Sequence, residues 1–423
     1  MEQLRKIGAI GGAISLALCW PLAVGQIGQN AITDGVAKLN NSSIQAEIVE
    51  YDRGYLSSNV TTRLTVTDEN LKEQLAIDGL PSEFVINSAV SHGLVSLNAL
   101  STFDNTDILP LTLTTSTELN GNTDFNFELS QFNHQGSDEN GTSVSITKSN
   151  LSGHATVLGQ VDYELSIPSV QIDFETGEEV TLSNLKGVGS GQQAKGYWLG
   201  TQNFTIDSFL VSDSAMQPFM TIENSKYDFE SHLDEATKRL RSNLKLDIAN
   251  IETNEGQLNN LNVDFEVSKL DSESFEKIFE IYQSNPVMTQ EDVAQIIPFI
   301  DILFAKGFDL SMNNMSLDLG KGQFESKWLV SVPEGTEGTE NISSNPSMIM
   351  PALTGNVHSS FSNELVEEYP FIREGIDELL VMEMIKETES GYEISADLEN
   401  GNLVFENGQE IPLIALLMPI FVQ

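Results

Sequence analysis

The chain has 423 residues, 40% of them hydrophobic, which is enough to bury a substantial core, and length alone allows roughly two or three domains. Its 62 acidic residues against 21 basic ones give a formal net charge of −41, which disfavours phosphate backbones and so argues against nucleic acid as a partner. Cys19 is the only cysteine, so no intramolecular disulfide is available, and stability must come from packing and strand pairing.

Arg5 and Lys6 precede a run of 19 uncharged residues, Ile7 to Gly25. As a helix that run reaches about 28 Å, close to the thickness of a bilayer core. Basic residues before it and almost none just after it predict a cytoplasmic N-terminus and an exported body. An uncleaved anchor is favoured by the length of the run. A cleaved signal peptide is the competing reading, because Ala23 and Gly25 place small residues where a signal peptidase cuts. Cys19 follows Leu18 rather than a small residue, which disfavours a lipid attachment site.

From Ile44 to about Val267 the sequence alternates between apolar and polar residues, as in "LPLTLTTSTEL" (Leu109–Leu119), "TDFNFELSQF" (Thr123–Phe132) and "NVDFEVS" (Asn262–Ser268). Period two makes one face of a strand apolar and the other wet. Turn signals separate the strands at Asn120–Asn122, Asp138–Gly141 and Glu175–Glu178. No fixed repeat is present, so the pattern predicts a long antiparallel meander rather than a solenoid or propeller.

After Lys269 the period changes. Phe275, Ile278, Phe279 and Tyr282 fall at helical spacing with Asp271 as N-cap. A second helix starts at Thr289 with Asp292 reaching back to it, carries the stripe Val293, Ile296, Ile297, Ile300, Leu303 and Phe304, contains Pro298 and ends at Gly307. Two alternating strands and a polar loop, Pro333–Ser347, follow. A helical region from about Ser362 to Glu389, interrupted near Pro370, leads to hairpins marked by the "ENG" triplets at Glu399 and Glu406. The predicted fold is α+β and mainly β: a meander of curved antiparallel sheet with a few amphipathic helices in the C-terminal half. Its predicted regions are an N-terminal membrane anchor or signal segment (1–28), a mainly-β region (29–268) and an α+β region (269–423) that either stands apart or continues the same sheet.

No catalytic constellation emerges. Histidines 92, 134, 154, 232 and 358 form no local pair, so no metal site is predicted, and neither a nucleophile elbow nor a phosphate-binding loop is present. The glycine-rich Gly187–Gly196 stretch reads as a flexible strand connection, because no helix pattern follows it. His92, followed by Gly93, stands in an alternating strand where a bulge or a close backbone approach is allowed, and reads first as a structural histidine.

Several stretches together resemble one family. The basic pair and apolar run, "VEYDRGYLSS", "SHGLVSL", the "FEKIFEIYQ" helix and the closing "LENGNLVFENGQEIPL" look like the YdgA family, bacterial domain of unknown function 945. Leu94 stands where that family usually has a proline. The resemblance implies a protein of the Gram-negative cell envelope, single-pass in the inner membrane with its body in the periplasm, and implies no activity.

The most specific motif is Tyr51, Asp52, Arg53, Gly54 and Tyr55. Alternation runs up to Tyr51 and resumes at Val60, so Asp52–Gly54 is predicted to be a three-residue hairpin turn with Gly54 at positive φ. Arg53 would lie on Tyr51 or Tyr55, or pair with a neighbouring carboxylate. This corner, with His92 and Gly93, is the candidate structural or docking site. The leading expectation is a non-enzymatic envelope scaffold or interaction protein with no cofactor, acting on a protein partner or on itself. The alternative is a carrier of lipid or another hydrophobic ligand, using an apolar groove closed by the helices at 271–283 and 289–306.

Overall fold

The alternating segments become long antiparallel strands. The computed structural model describes residues 28–30, 32–34, 36–37, 39–40, 43–77, 81–93, 95–105, 109–135, 142–194, 197–284, 288–336 and 349–414. The expected Ile7–Gly25 anchor, the Asp138–Gly141 turn and most of the Pro333–Ser347 loop lie outside them. Among the described residues no helix is long and apolar enough to cross a membrane. The chain divides into two units: the first ends at Ser190 and includes Val211–Gln217, and the second takes Gly191–Leu210 and the chain from Pro218.

In the first unit, β1 (Ile44–Arg53), β2 (Ser57–Val66), β3 (Glu83–His92), β4 (Ser96–Phe103) and β5 (Leu111–Glu118) pair antiparallel in chain order. A helix, α1 (Glu69–Ile77), links β2 to β3. β6 (Thr123–Leu129) and β7 (Phe132–Gln135) face β9 (Ser149–Ala155) and β8 (Ser143–Ile146) in one shared register. They are therefore two long strands, each broken by two residues. β10 (Gln160–Asp173) pairs with both β8 and β9, and β11 (Glu179–Ala194) follows a turn at Gly177.

Because the strands alternate in direction, the turns at 54–56, 93–95, 119–122 and 156–159 all fall at one end of this unit. The connections at 67–82, 104–110 and 174–178 fall at the other. Gly28, among the described helical residues, lies so close to Leu97 that an added Cβ would meet its side chain at 2.6 Å. The glycine-rich stretch is a correction to the sequence reading: Gly187, Gly189 and Gly191 lie within β11, not in a flexible connection. A Cβ on Gly189 would sit 2.3 Å from the Tyr163 ring, so glycine leaves room for an aromatic ring from the neighbouring strand.

In the second unit, β12 (Tyr197–Ser212), whose last two residues belong to the first unit, leads to β13 (Pro218–Asp234), β14 (Arg239–Thr253) and β15 (Gly256–Asp271). The ladder continues antiparallel through β16 (Phe308–Leu319), β17 (Gly322–Val332) and β18 (Thr354–Ser362). Two helix pairs are inserted: α2 (Ser272–Ser284) and α3 (Gln290–Lys306) between β15 and β16, and α4 (Asn363–Glu368) and α5 (Pro370–Val381) after β18. The second pair ends at Val381, short of the expected Glu389. Lys386–Glu387 form the short β19 instead, beside β20 (Gly391–Glu399), which also pairs with β18. β21 (Asn402–Phe405) and β22 (Glu410–Pro412) complete the meander through turns at Gly401 and Gly408, both at positive φ. Val366, Ile376 and Ile385 pack under Phe361, Tyr392 and Ile394, while Val332, Ile349, Leu353 and Leu398 form a second cluster.

The helix ends follow the expected local chemistry. Thr289 and Asp292 form a reciprocal capping box, Pro298 lies inside α3, and Gly307 closes it at φ 72°. Asp271 Oδ2 accepts from the Ser274 amide at 3.0 Å and from its hydroxyl at 2.7 Å, while Lys306 Nζ donates to Oδ1 at 2.6 Å. Asp271 thus caps α2 and ties it to the end of α3. Arg239 donates to the carbonyls of Lys306 and Gly307, satisfying acceptors left open at that helix end, and to that of Lys269 in β15. Burial pushes the Asp271 carboxyl upward, but Lys306 and Ser274 outweigh burial and hold it below the usual carboxylate range.

A depressed folded-state pKa contributes stability above the unfolded value, and that contribution disappears as pH falls through the folded one. Asp271→Ala should therefore lower the unfolding free energy by about 2 kcal/mol at neutral pH. The gap between wild type and variant should close below about pH 4, as followed by urea unfolding.

Candidate functional site

β1 continues through Asp52 and Arg53, which face Asn59 and Ser58 across the ladder. The turn is Gly54, Tyr55 and Leu56, closed by the Gly54 amide donating to the Ser57 carbonyl at 2.7 Å. Two sequence expectations are thereby corrected: Asp52–Gly54 is not the turn, and Gly54 is not at positive φ. Glycine is required for another reason, since a Cβ there would lie 2.8 Å from the Ser57 carbonyl oxygen.

His92 ends β3, with no bulge in its pairing to β4, and Gly93 opens the next turn. That turn repeats the first one: the Gly93 amide donates to the Ser96 carbonyl at 2.9 Å, and a Cβ on Gly93 would lie 2.7 Å from that oxygen. The glycines of "GYLS" and "GLVS" thus make the same closing hydrogen bond on neighbouring hairpins.

The structure brings the two motifs together. The His92 amide donates to the Leu56 carbonyl at 2.7 Å, its Nε2 meets the Ser58 hydroxyl at 2.9 Å, and its Nδ1 faces the Tyr55 carbonyl at 3.4 Å. A carbonyl only accepts, so Nδ1 carries the proton and Nε2 accepts from Ser58. Arg53 and Tyr51 share this face of the sheet, opposite Ser58 and Val60. The Tyr51 hydroxyl is buried without a hydrogen-bond partner among the described residues. Asp52 and Tyr55 are exposed, and Gly54 is exposed beside them.

A serine hydroxyl donating to a histidine whose other nitrogen is fixed by an acceptor resembles an activated nucleophile. Here Ser58 is 1% exposed and His92 6% exposed, which leaves no approach for a substrate. The pair instead fastens the first hairpin to the second. Ser58 is the member that sequence reasoning missed. The available signal was its place in the inward row Ser58, Val60, Thr62, but its partner stands 34 residues away.

The cavities described lie elsewhere. In the first unit a space of about 200 Å³ is lined by Pro81, Phe84, Val85, Phe103 and Leu109, at the other end of the sheet from the corner. In the second unit one of about 320 Å³ lies over the polar cross-strand row Asn262, Ser316, Glu325, Ser360 and Glu393. Another of about 400 Å³ is bordered by Leu380, Met384, Phe405 and Asn407. Among the described residues no group of three or more histidine, cysteine or acidic side chains could hold a metal.

Fold and corner together define a mainly-β antiparallel protein in which His92 ties the first hairpin to the second. The chain belongs to the family described as bacterial protein of unknown function (DUF945), whose model matches residues 4–414, in keeping with the resemblance of its motifs. No curated protein and no solved structure matches it.

Gly54→Ala and Gly93→Ala should each cost about 1–3 kcal/mol, because the new methyl group meets a backbone oxygen that the turn cannot move. Gly54→Asn separates the two explanations, since asparagine tolerates a left-handed backbone but not a close approach. It should be as damaging as alanine in thermal or urea unfolding. Ser58→Ala should lower stability by about 1–3 kcal/mol, because it leaves a buried His92 nitrogen without its donor.

Proposed function

We propose that this chain is a non-enzymatic interaction protein of the bacterial cell envelope, held at the inner membrane by its charge-free Ile7–Gly25 segment with the β body in the periplasm. The observation that carries this reading is the closure of the corner. The one arrangement that resembles catalytic machinery, Ser58 with His92, is sealed from solvent, and its polar atoms serve the fold. Support also comes from the anchor-like N-terminal pattern and from a net charge of −41, which suits a soluble, non-sticky body.

Two large apolar side chains, Phe371 and Val381, stand exposed on α5, and these are the contacts proposed for a protein partner or a second copy of the chain. The reading predicts that the full-length chain stays with the membrane through an alkaline wash. In native mass spectrometry after gentle detergent extraction, it should appear as a defined oligomer or with a protein partner, and Val381→Glu should weaken that assembly. Release by the wash would overturn the anchoring. A monomer carrying stoichiometric lipid would replace the interaction role with ligand carriage.

A further inference from the structure

The four turns at one end of the first unit are unlike the rest of the chain. Gly54–Leu56, Gly93–Val95, Leu119–Asn122 and Thr156–Gly159 contain no charged residue, in a protein where 20% of residues are charged. Among the described residues, the connections at the opposite end carry Asp68, Glu69, Glu73, Asp104, Glu175 and Glu178, with Lys72 as the single cation. The unit therefore has one acidic end and one whose turns are uncharged, with Asp52, Arg53 and Glu118 on the strand ends behind them.

The end with uncharged turns is also apolar and outward-facing. Tyr55, Leu56 and Leu119 are exposed there, Val95 is 70% exposed, and Leu158 is 88% exposed. These side chains sit on adjoining turns. The Leu56 carbonyl is bonded by the His92 amide, Ser96 faces Glu118 across the ladder, and a Cβ on Gly121 would touch the Val157 side chain. Water gains nothing from such a tip, and a row of apolar residues at hairpin ends is suited to the interfacial layer of a bilayer, where tyrosine and aliphatic side chains are both accommodated.

The position of the N-terminal segment selects the occupant. Gly28 lies against Leu97, which faces His92 across the ladder at this same end. Only Gln26 and Ile27 separate Gly28 from Gly25, the end of the apolar run, so at most about 11 Å of chain lie between them. A bilayer that held the run would meet this end of the sheet first. The acidic end would then point away from a surface whose anionic lipids repel it. We infer that the charge-free tip formed by Tyr55, Leu56, Val95, Val157 and Leu158 rests in the lipid interface, so that the first unit stands on the membrane in one fixed orientation. The inference rests on the anchoring proposed above.

The test uses the full chain with Cys19→Ser as background, reconstituted into phosphatidylcholine vesicles, with an environment-sensitive fluorophore on Leu158→Cys or on Thr176→Cys at the opposite end. Brominated acyl chains should quench the label at 158 roughly twofold or more and leave that at 176 unchanged. Failure of the protein to float with vesicles would overturn the anchoring and this inference together. Flotation with equal, weak quenching at both positions would overturn only the orientation. A label at 158 that is shielded from aqueous iodide but not quenched by brominated lipid would show that protein, not lipid, covers the tip, and would equally overturn the inference.

Discussion

Antiparallel backbone pairing is the constraint on which everything else in this chain depends. The body has no cysteine and no disulfide, and fully buried apolar side chains are sparse among the described residues. Each strand amide must nevertheless find an acceptor, and strands of up to 17 residues do this almost entirely through their neighbours. Register then matters more than core volume. It is adjusted at a few bulges, near Val49 in β1 and between Asn259 and Asn262 in β15, where a strand takes an extra residue and keeps its inward row inward.

The corner at Tyr51–Tyr55 is what such a ladder needs where it runs out. A turn leaves carbonyls pointing away from any strand, and those turned toward the protein need donors there. His92 does this with its amide and its ring, reaching both Leu56 and Tyr55 while taking the Ser58 hydroxyl. Two glycines allow both turns to close tightly enough for the contact to form. The serine–histidine contact is thereby part of the hydrogen bonding that closes the two turns.

What could be read in the sequence was what is local. The capping box at Thr289 and Asp292, the stop at Gly307 and the hairpins at Gly401 and Gly408 all depend on residues within four positions of each other, so sequence exposes them. Gly54 shows the limit: a positive φ and a close approach both demand glycine, and one residue cannot say which. Gly189 shows another, because the ring that fills its place belongs to Tyr163, on a strand 26 positions earlier. The turn at Asp213–Gln217 has the same hydrogen bonds as the one at Phe174–Glu178, yet places Met216 at φ 59° where the other has glycine, so no turn signal marked it. Ser58 and His92 were each visible as inward positions, and only the fold could join them.

The charge balance follows a comparable economy. Cations are scarce, and in the second unit Lys226, Lys245, Lys306 and Lys269 stand beside Asp228, Asp264, Asp271 and Asp309. Burial raises each of these carboxyls, and hydrogen bonds from the lysines and from neighbouring amides and hydroxyls pull each back below its ordinary range. The lysines are thus placed where the ladder has partly buried an acid and water can no longer solvate it fully. Most acids elsewhere stand in solvent, where salt screens their mutual repulsion. These four lysines therefore offset, inside a chain of net charge −41, the solvation that the partly buried carboxylates beside them have lost.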